Sequence, residues 1–163
     1  MNDPAREAAI DTVHTYRVRA TSTTLRSGEV VSSGVSRSIA FSAPPEFMGQ
    51  PGVWTPEDFF VAAVVSCYVS TFSSMADLSR FSFVSLEVEA EGRLEKVDGA
   101  WRFVQVLLRP NLQIENEKDR DRAIRLLEKA EKGCLVARSI SAQTIVEHFA
   151  VVASQITGAQ PVS

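Results

Sequence analysis

Residues 55–78, TPEDFFVAAVVSCYVSTFSSMADL, constrain this chain more than any other stretch. Thr55 offers a hydroxyl to the first free N–H groups of a helix. Pro56 suits the first helical position, where its missing N–H costs nothing. Glu57 and Asp58 then set negative charge against the positive end of the helix dipole. From 59 to 65 the chain is apolar without a break, so no amphipathic face can be drawn there. The valines lower helix propensity, but a glycine-free stretch of this length favours helix over strand. A helix apolar all round is a buried one. Cys67, one of two cysteines in the chain, stands in the middle of that apolar wall. The expectation is a central buried helix that carries a thiol.

The segments around it read as sheet and a second helix. Residues 13–24 are strand-like, with Tyr16, Val18 and Ala20 on one side. Arg26-Ser27-Gly28 reads as a turn, 29–32 as a short return strand and 35–41 as a third, giving an antiparallel meander. The prolines and glycines of 43–53 mark an ordered loop that delivers the chain to Thr55. Beyond the central helix, 83–91 alternates, with Val84, Leu86, Val88 and Ala90 on one face and Ser85, Glu87, Glu89 and Glu91 on the other. Asp98-Gly99 is a hairpin turn pair. Its partner strand, 101–114, turns Val104, Val106 and Leu108 to the core, with Pro110 hinting at an edge or a bulge. In 117–132, Ala123, Leu127, Ala130 and then Cys134 recur at helical spacing, and Gly133 suits a helix stop. A last strand covers 143–153. The fold class is therefore α+β: antiparallel sheets, a central buried helix and a second, amphipathic helix. Residues 1–11 form a polar leader, and 12–163 a single domain. One further helix and a few strands cover the central helix poorly, so a second copy of the chain is expected alongside it, as a homodimer.

Charge and composition exclude some classes. A net charge of −3 with no Lys/Arg cluster argues against a nucleic-acid partner. The unbroken apolar run at 59–65 is far short of the roughly 20 residues that span a bilayer, and the N-terminus lacks a basic-then-apolar layout. A cytoplasmic location without a membrane partner is the expectation. His14 and His148 stand at no ligand spacing with each other or with the cysteines, so no metal site is expected. Two cysteines in a reducing compartment leave redox chemistry or inert packing.

A thiol reacts as its thiolate, and burial among apolar groups keeps it protonated unless a positive group stabilises the anion. Arg17, Arg19, Arg26 and Arg37 are the candidates, and Glu57 has the geometry to orient any of them through a bidentate pair. Along one straight helix Glu57 and Cys67 stand about 15 Å apart, at ~1.5 Å per residue. Across a dimer with antiparallel central helices they can meet.

TPEDFFVAAVVSCY closely resembles the Thr/Asn-Pro-Glu-x-(apolar)-Cys segment of the OsmC/Ohr family of thiol peroxidases. EKAEKGC resembles the family's second-cysteine motif, and TLRSGEVVSSG the early turn that supplies a catalytic arginine in the organic hydroperoxide resistance members. The resemblance covers roughly residues 13–155. It implies an intertwined, cytoplasmic homodimer that reduces organic hydroperoxides, with inorganic peroxide left open as a further substrate, without a bound cofactor. Cys67 matches the peroxidatic cysteine that becomes a sulfenic acid. Cys134 matches the resolving cysteine that closes a disulfide. Arg26 matches the arginine that stabilises the thiolate, and Glu57 the carboxylate that holds it. Phe59, Phe60, Val64 and Tyr68 are expected to wall an apolar substrate pocket. The implied reductant is a dithiol, of the lipoyl-bearing kind. One departure is Leu135, which stands where many members carry proline, with Arg138 close by. The alternative from another class is a non-catalytic relative, a stress-associated dimer that binds a small apolar or acyl ligand in the same interface.

Overall fold

A computed structural model of the chain describes residues 13–147 and 150–153. The leader 1–11 and His148 lie outside them. The chain divides into two compact units, the first ending at Pro56 and the second beginning at Glu57.

The first unit is the expected meander: β1 (Val18–Thr24), β2 (Ser27–Ser32) and β3 (Ile39–Ser42), antiparallel in that order. Its turn is one residue earlier than expected. Thr24 faces Ser27, so the loop is Leu25-Arg26, and Arg26 takes a left-handed conformation with φ 67°. Gly28 is already in β2 and is needed for close approach instead. A Cβ there would come within 2.5 Å of the Thr21 carbonyl oxygen and 2.8 Å of the Phe41 ring. Every residue of β1 is exposed within this chain, so Tyr16, Val18 and Ala20 have no buried side. The loop after β3 is ordered, as expected. The buried Ser42 hydroxyl accepts from the Gln50 N–H at 2.9 Å, and the Ser42 N–H donates to the Trp54 carbonyl at 2.9 Å.

The second unit is built on the central helix, α1 (Pro56–Leu78), which starts where Thr55-Pro56-Glu57 predicts. Within this chain its buried residues are Val64, Tyr68, Phe72 and Ala76, one every four positions. They pack on a four-stranded sheet and a second helix. β4 (Ser85–Val97) and β5 (Ala100–Ile114) form a long antiparallel hairpin. Its turn is Asp98-Gly99, both residues left-handed, as a type I′ connection requires. α2 (Arg120–Gly133) buries Ala123, Leu126, Leu127 and Ala130 against the same core.

Three sheet details differ from the sequence expectation. A register shift opposite Arg93/Leu94 leaves Val104 as the extra residue of β5. Phe103, not Val104, therefore reaches the core face, where it stacks on Phe60 of α1 with ring centroids 4.3 Å apart. Residues 143–153 form two strands, β6 (Gln143–Val146) and β7 (Ala150–Ala153), both parallel to β5. Pro110 accordingly lies in a central strand, not at an edge. Its partner across the hairpin is Val88 of β4, and β6 and β7 flank β5 on the other side.

Taken whole, α1 is long and apolar enough to cross a membrane by length and composition, with a mean hydropathy of 1.7 in its most apolar window. Unbroken apolar runs undercount it. Its small hydroxyls bond to their own backbone, as Ser66 does to the Ala63 carbonyl and Ser74 to that of Ser70. The same composition serves a helix enclosed by protein.

Gly92 of β4 lets α1 lie close on the sheet. A Cβ there would stand 2.5 Å from Val61 Cγ2 and 2.8 Å from the Phe103 ring. Gly92→Ala is expected to cost about 1–3 kcal/mol in urea denaturation by overpacking. Glu89→Ala on the exposed face of the same strand should change it by less than about 0.5 kcal/mol. Equal effects would show that this contact does not constrain the packing.

Candidate active site at the cysteine pair

The end of α2 is set down on the middle of α1, and glycine makes this possible. A Cβ on Gly133 would meet Met75 Cε at 2.7 Å and Thr71 Cγ2 at 3.2 Å. Gly133 thus ends α2 without the positive φ of a glycine stop, and its role is close approach to α1. The next residue, Cys134, continues the buried stripe of α2 and is 1% exposed. Its Sγ lies 3.9 Å from the Val64 carbonyl oxygen, one turn before Cys67. A short helical turn, 134–139, follows, closed by the Arg138 N–H on the Cys134 carbonyl at 3.1 Å. Its first N–H groups face α1, and that of Val136 donates to Cys67 Sγ at 3.5 Å.

Cys67 is half-buried, and Cys134 is buried. Burial pushes the Cys67 thiol up. The Val136 N–H, the Cys134 thiol, the Thr71 hydroxyl and the Leu135 N–H outweigh burial together and hold Cys67 below the ordinary thiol range. Burial pushes Cys134 the other way, and its hydrogen bond to Cys67 and the Cys67 charge add to that rise. The two sulfurs are therefore unlike: one reachable and held low, the other enclosed, held high and donating to the Val64 carbonyl. No cation contributes to this stabilisation, which comes from uncharged donors.

The remaining expected site residues are placed as follows. Val64 and Tyr68 are fully buried core within this chain. The Tyr68 hydroxyl donates to the Leu127 carbonyl at 3.2 Å, joining α1 to α2. Burial, then the Glu131 carboxylate and Cys134, raise its pKa and keep it protonated. Phe59 and Phe60 are half-buried. Phe60, with Phe103, Arg102, Ile140, Ser141 and Ala142, lines an open cleft of about 250 Å³. Glu57, on the first turn of α1, has a buried Oε2 without a hydrogen-bond partner among the described residues. A carboxylate oxygen in that condition is an acceptor awaiting a donor. Arg26 belongs to the other compact unit. Its backbone is fixed, with its carbonyl accepting from the Ala43 N–H at 2.9 Å, and its side chain is exposed, as are those of Arg17, Arg19 and Arg37. Among the described residues no group of three or more His, Cys, Asp or Glu is placed to hold a metal.

The sequence profile of the family described as OsmC-like protein matches residues 49–149, which carry both cysteines and Glu57. The chain belongs to this family. It is 28% identical over 121 residues to YmaD of Bacillus subtilis, described as uncharacterized, covering 72% of this chain and 75% of that protein. It is 24% identical over 116 residues to the peroxiredoxin OsmC of Escherichia coli, covering 71% of this chain and 80% of the relative. Among solved structures, an OsmC-like protein of unknown function from Vibrio cholerae superposes with a TM-score of 0.74 at 22% identity. That match covers 84% of this chain and 100% of the other.

In this OsmC-like chain three contributors to the site carry little or no sequence signal. Thr71 stands four residues after Cys67, a spacing that puts it one turn away on the same face. The Leu135 and Val136 N–H groups carry no sequence signal, since every residue but proline has one. That position 135 is leucine matters here, because a proline would have no N–H to offer Cys67.

Iodoacetamide is expected to alkylate Cys67 first, with a midpoint pH below that of the urea-unfolded protein, and to reach Cys134 only after unfolding. A lowered folded pKa makes Cys67 a stabilising group above the unfolded thiol's pKa, and that contribution is lost as pH falls through the folded pKa. Cys134, raised, acts oppositely: its contribution is complete below the unfolded pKa and disappears as pH rises through the folded one. Mass mapping of the alkylated peptides across pH checks both. Equal labelling of the two thiols in the folded protein would contradict the asymmetry.

Proposed function

We propose that this OsmC-like chain is a thiol-dependent peroxidase that reduces organic hydroperoxides. The observation that carries the reading is the unlike thiol pair, a reachable Cys67 that takes an N–H from Val136 and is held below the ordinary thiol range, and a buried Cys134 held above it. In the first step the Cys67 thiolate attacks the outer peroxide oxygen and the O–O bond breaks. Cys67 becomes a sulfenic acid, and the departing alkoxide takes a proton and leaves as the alcohol. The Cys134 sulfur then attacks Cys67, forming a disulfide and releasing water. An external dithiol reduces that disulfide by exchange and becomes a disulfide itself. No cofactor enters.

Arg26 and Glu57 complete the proposed site. The unpartnered, buried Glu57 oxygen supports a carboxylate that clamps a guanidinium, and Arg26 is the arginine that the family pattern selects. That cation would polarise the peroxide and lower the Cys67 thiol further than the uncharged donors do. A homodimer is part of the same reading. Its support is the apolar surface of α1, only 22% of whose most apolar window is buried within one chain. A reducing cytoplasm suits a resting state with both thiols free.

Peroxide consumption with a dithiol reductant tests the reading, with cumene hydroperoxide and hydrogen peroxide as substrates. Turnover should favour the organic peroxide and be lost in Cys67→Ser. Cys134→Ser should lose multiple turnover while keeping the first reduction. Arg26→Ala and Glu57→Ala should each lower kcat/KM by roughly 10-fold or more, the scale of removing a charge-assisted hydrogen bond of about 1.5–3 kcal/mol. No turnover, with both thiols still titrating and the protein stabilised by a small acyl ligand, would establish the non-catalytic binding relative instead.

A further inference from the structure

We propose that Thr71 is a positioning residue for Cys67: its hydroxyl hydrogen-bonds the sulfur, and its methyl group, set against Gly133, holds it in that rotamer.

Helical serine and threonine hydroxyls ordinarily bond back to a carbonyl in the preceding turn. Two other hydroxyls of α1 do so: Ser66 to the Ala63 carbonyl at 3.3 Å, and Ser74 to that of Ser70 at 2.9 Å. Ser79, just beyond the helix, bonds to the Met75 carbonyl at 2.7 Å. Thr71 differs. Its Oγ1 lies 4.0 Å from Cys67 Sγ, at the outer limit of a sulfur hydrogen bond, with either atom as donor. Against a thiolate only the hydroxyl has a proton to give, so ionisation fixes the direction of the bond and strengthens it.

Threonine in a helix divides between two χ1 rotamers, and something must select one. Gly133 does this. Thr71 Cγ2 lies over that glycine, where an added Cβ would stand only 3.2 Å away. The contact that lets α2 end on α1 is thus also the one that turns the Thr71 hydroxyl towards the sulfur. The consequence for turnover rests on Cys67 being the peroxidase nucleophile. The hydrogen bond itself does not, and it is tested at the thiol.

Thr71→Val keeps the shape and the methyl group and removes the hydroxyl, whereas Thr71→Ser keeps the hydroxyl and removes the methyl. The pH dependence of Cys67 alkylation by iodoacetamide is measured in both and in the native protein, together with thermal unfolding. The expected result for Thr71→Val is a midpoint moved to higher pH. Alkylation below the midpoint then slows roughly two- to tenfold, the range of one net hydrogen bond. The native rate should return at high pH, and the unfolding temperature should not fall. Thr71→Ser should lie between the two. A Thr71→Val profile that coincides with the native one overturns the proposal whatever the peroxide assay shows. A shifted profile without peroxide turnover in any variant upholds it and overturns the peroxidase reading instead. If Thr71→Val unfolds, Thr71→Ala replaces it, with the same midpoint shift expected and a coincident profile again decisive.

Discussion

The contact between Gly133 at the end of α2 and Thr71 and Met75 of α1 is the constraint on which the site depends. Two helices separated by ordinary side chains pack about 8–10 Å apart between axes, and a glycine at the crossing permits the closest approach. That approach carries Cys134 to the Val64 carbonyl and the Val136 N–H to the Cys67 sulfur. It brings the second thiol and main-chain donors to a helix that would otherwise keep Cys67 protonated among valines. A side chain at 133 would have to be absorbed by movement of Thr71 or Met75, and the geometry of the thiol pair would move with them.

The central helix serves two ends that conflict in most proteins. Its stripe of Val64, Tyr68, Phe72 and Ala76 closes the core of the second unit. Its apolar remainder is left with little cover from its own chain, and the half-buried Cys67 sits along that remainder. The second helix and the turn after it bring main-chain donors to that thiol. Partial burial makes those uncharged donors more effective than they would be in water. The unpartnered carboxylate oxygen of Glu57 belongs to the same economy of design: a charged group held ready on rigid structure, ten residues before the thiol.

What the sequence disclosed followed from local chemistry. Thr55-Pro56-Glu57 marked the start of α1, Asp98-Gly99 the hairpin turn, and the spacing Ala123, Leu127, Ala130, Cys134 placed the second cysteine on a buried stripe. What it concealed depended on residues distant in the chain. Gly28 and Gly133 read as turn and stop signals, but each is glycine because another segment lies against it. Val104 followed the alternation of its strand until a register shift against β4 gave its place to Phe103. Pro110 read as an edge signal because sequence does not show that β6 and β7 flank the far side of β5. A helix apolar on every side does not reveal that Val64, Tyr68, Phe72 and Ala76 form the stripe that meets its own core. The resemblance to a family identified the thiols. The donors around Cys67, the Thr71 hydroxyl and two main-chain N–H groups, became visible only when the helices were brought together.

The most direct test of the central claim, that the two cysteines form one redox unit, is a single turnover read by peptide mass. The reduced protein is mixed with one equivalent of cumene hydroperoxide, quenched with excess iodoacetamide in urea at a pH near the ordinary thiol pKa of about 8.5, where both thiols ionise, and digested without reductant. The account predicts one linked species, the peptide of Cys67 joined to that of Cys134 with the loss of two hydrogens, and no free thiol at either position. Recovery of both cysteines as alkylated thiols, or of Cys67 over-oxidised beside a free Cys134, would contradict it.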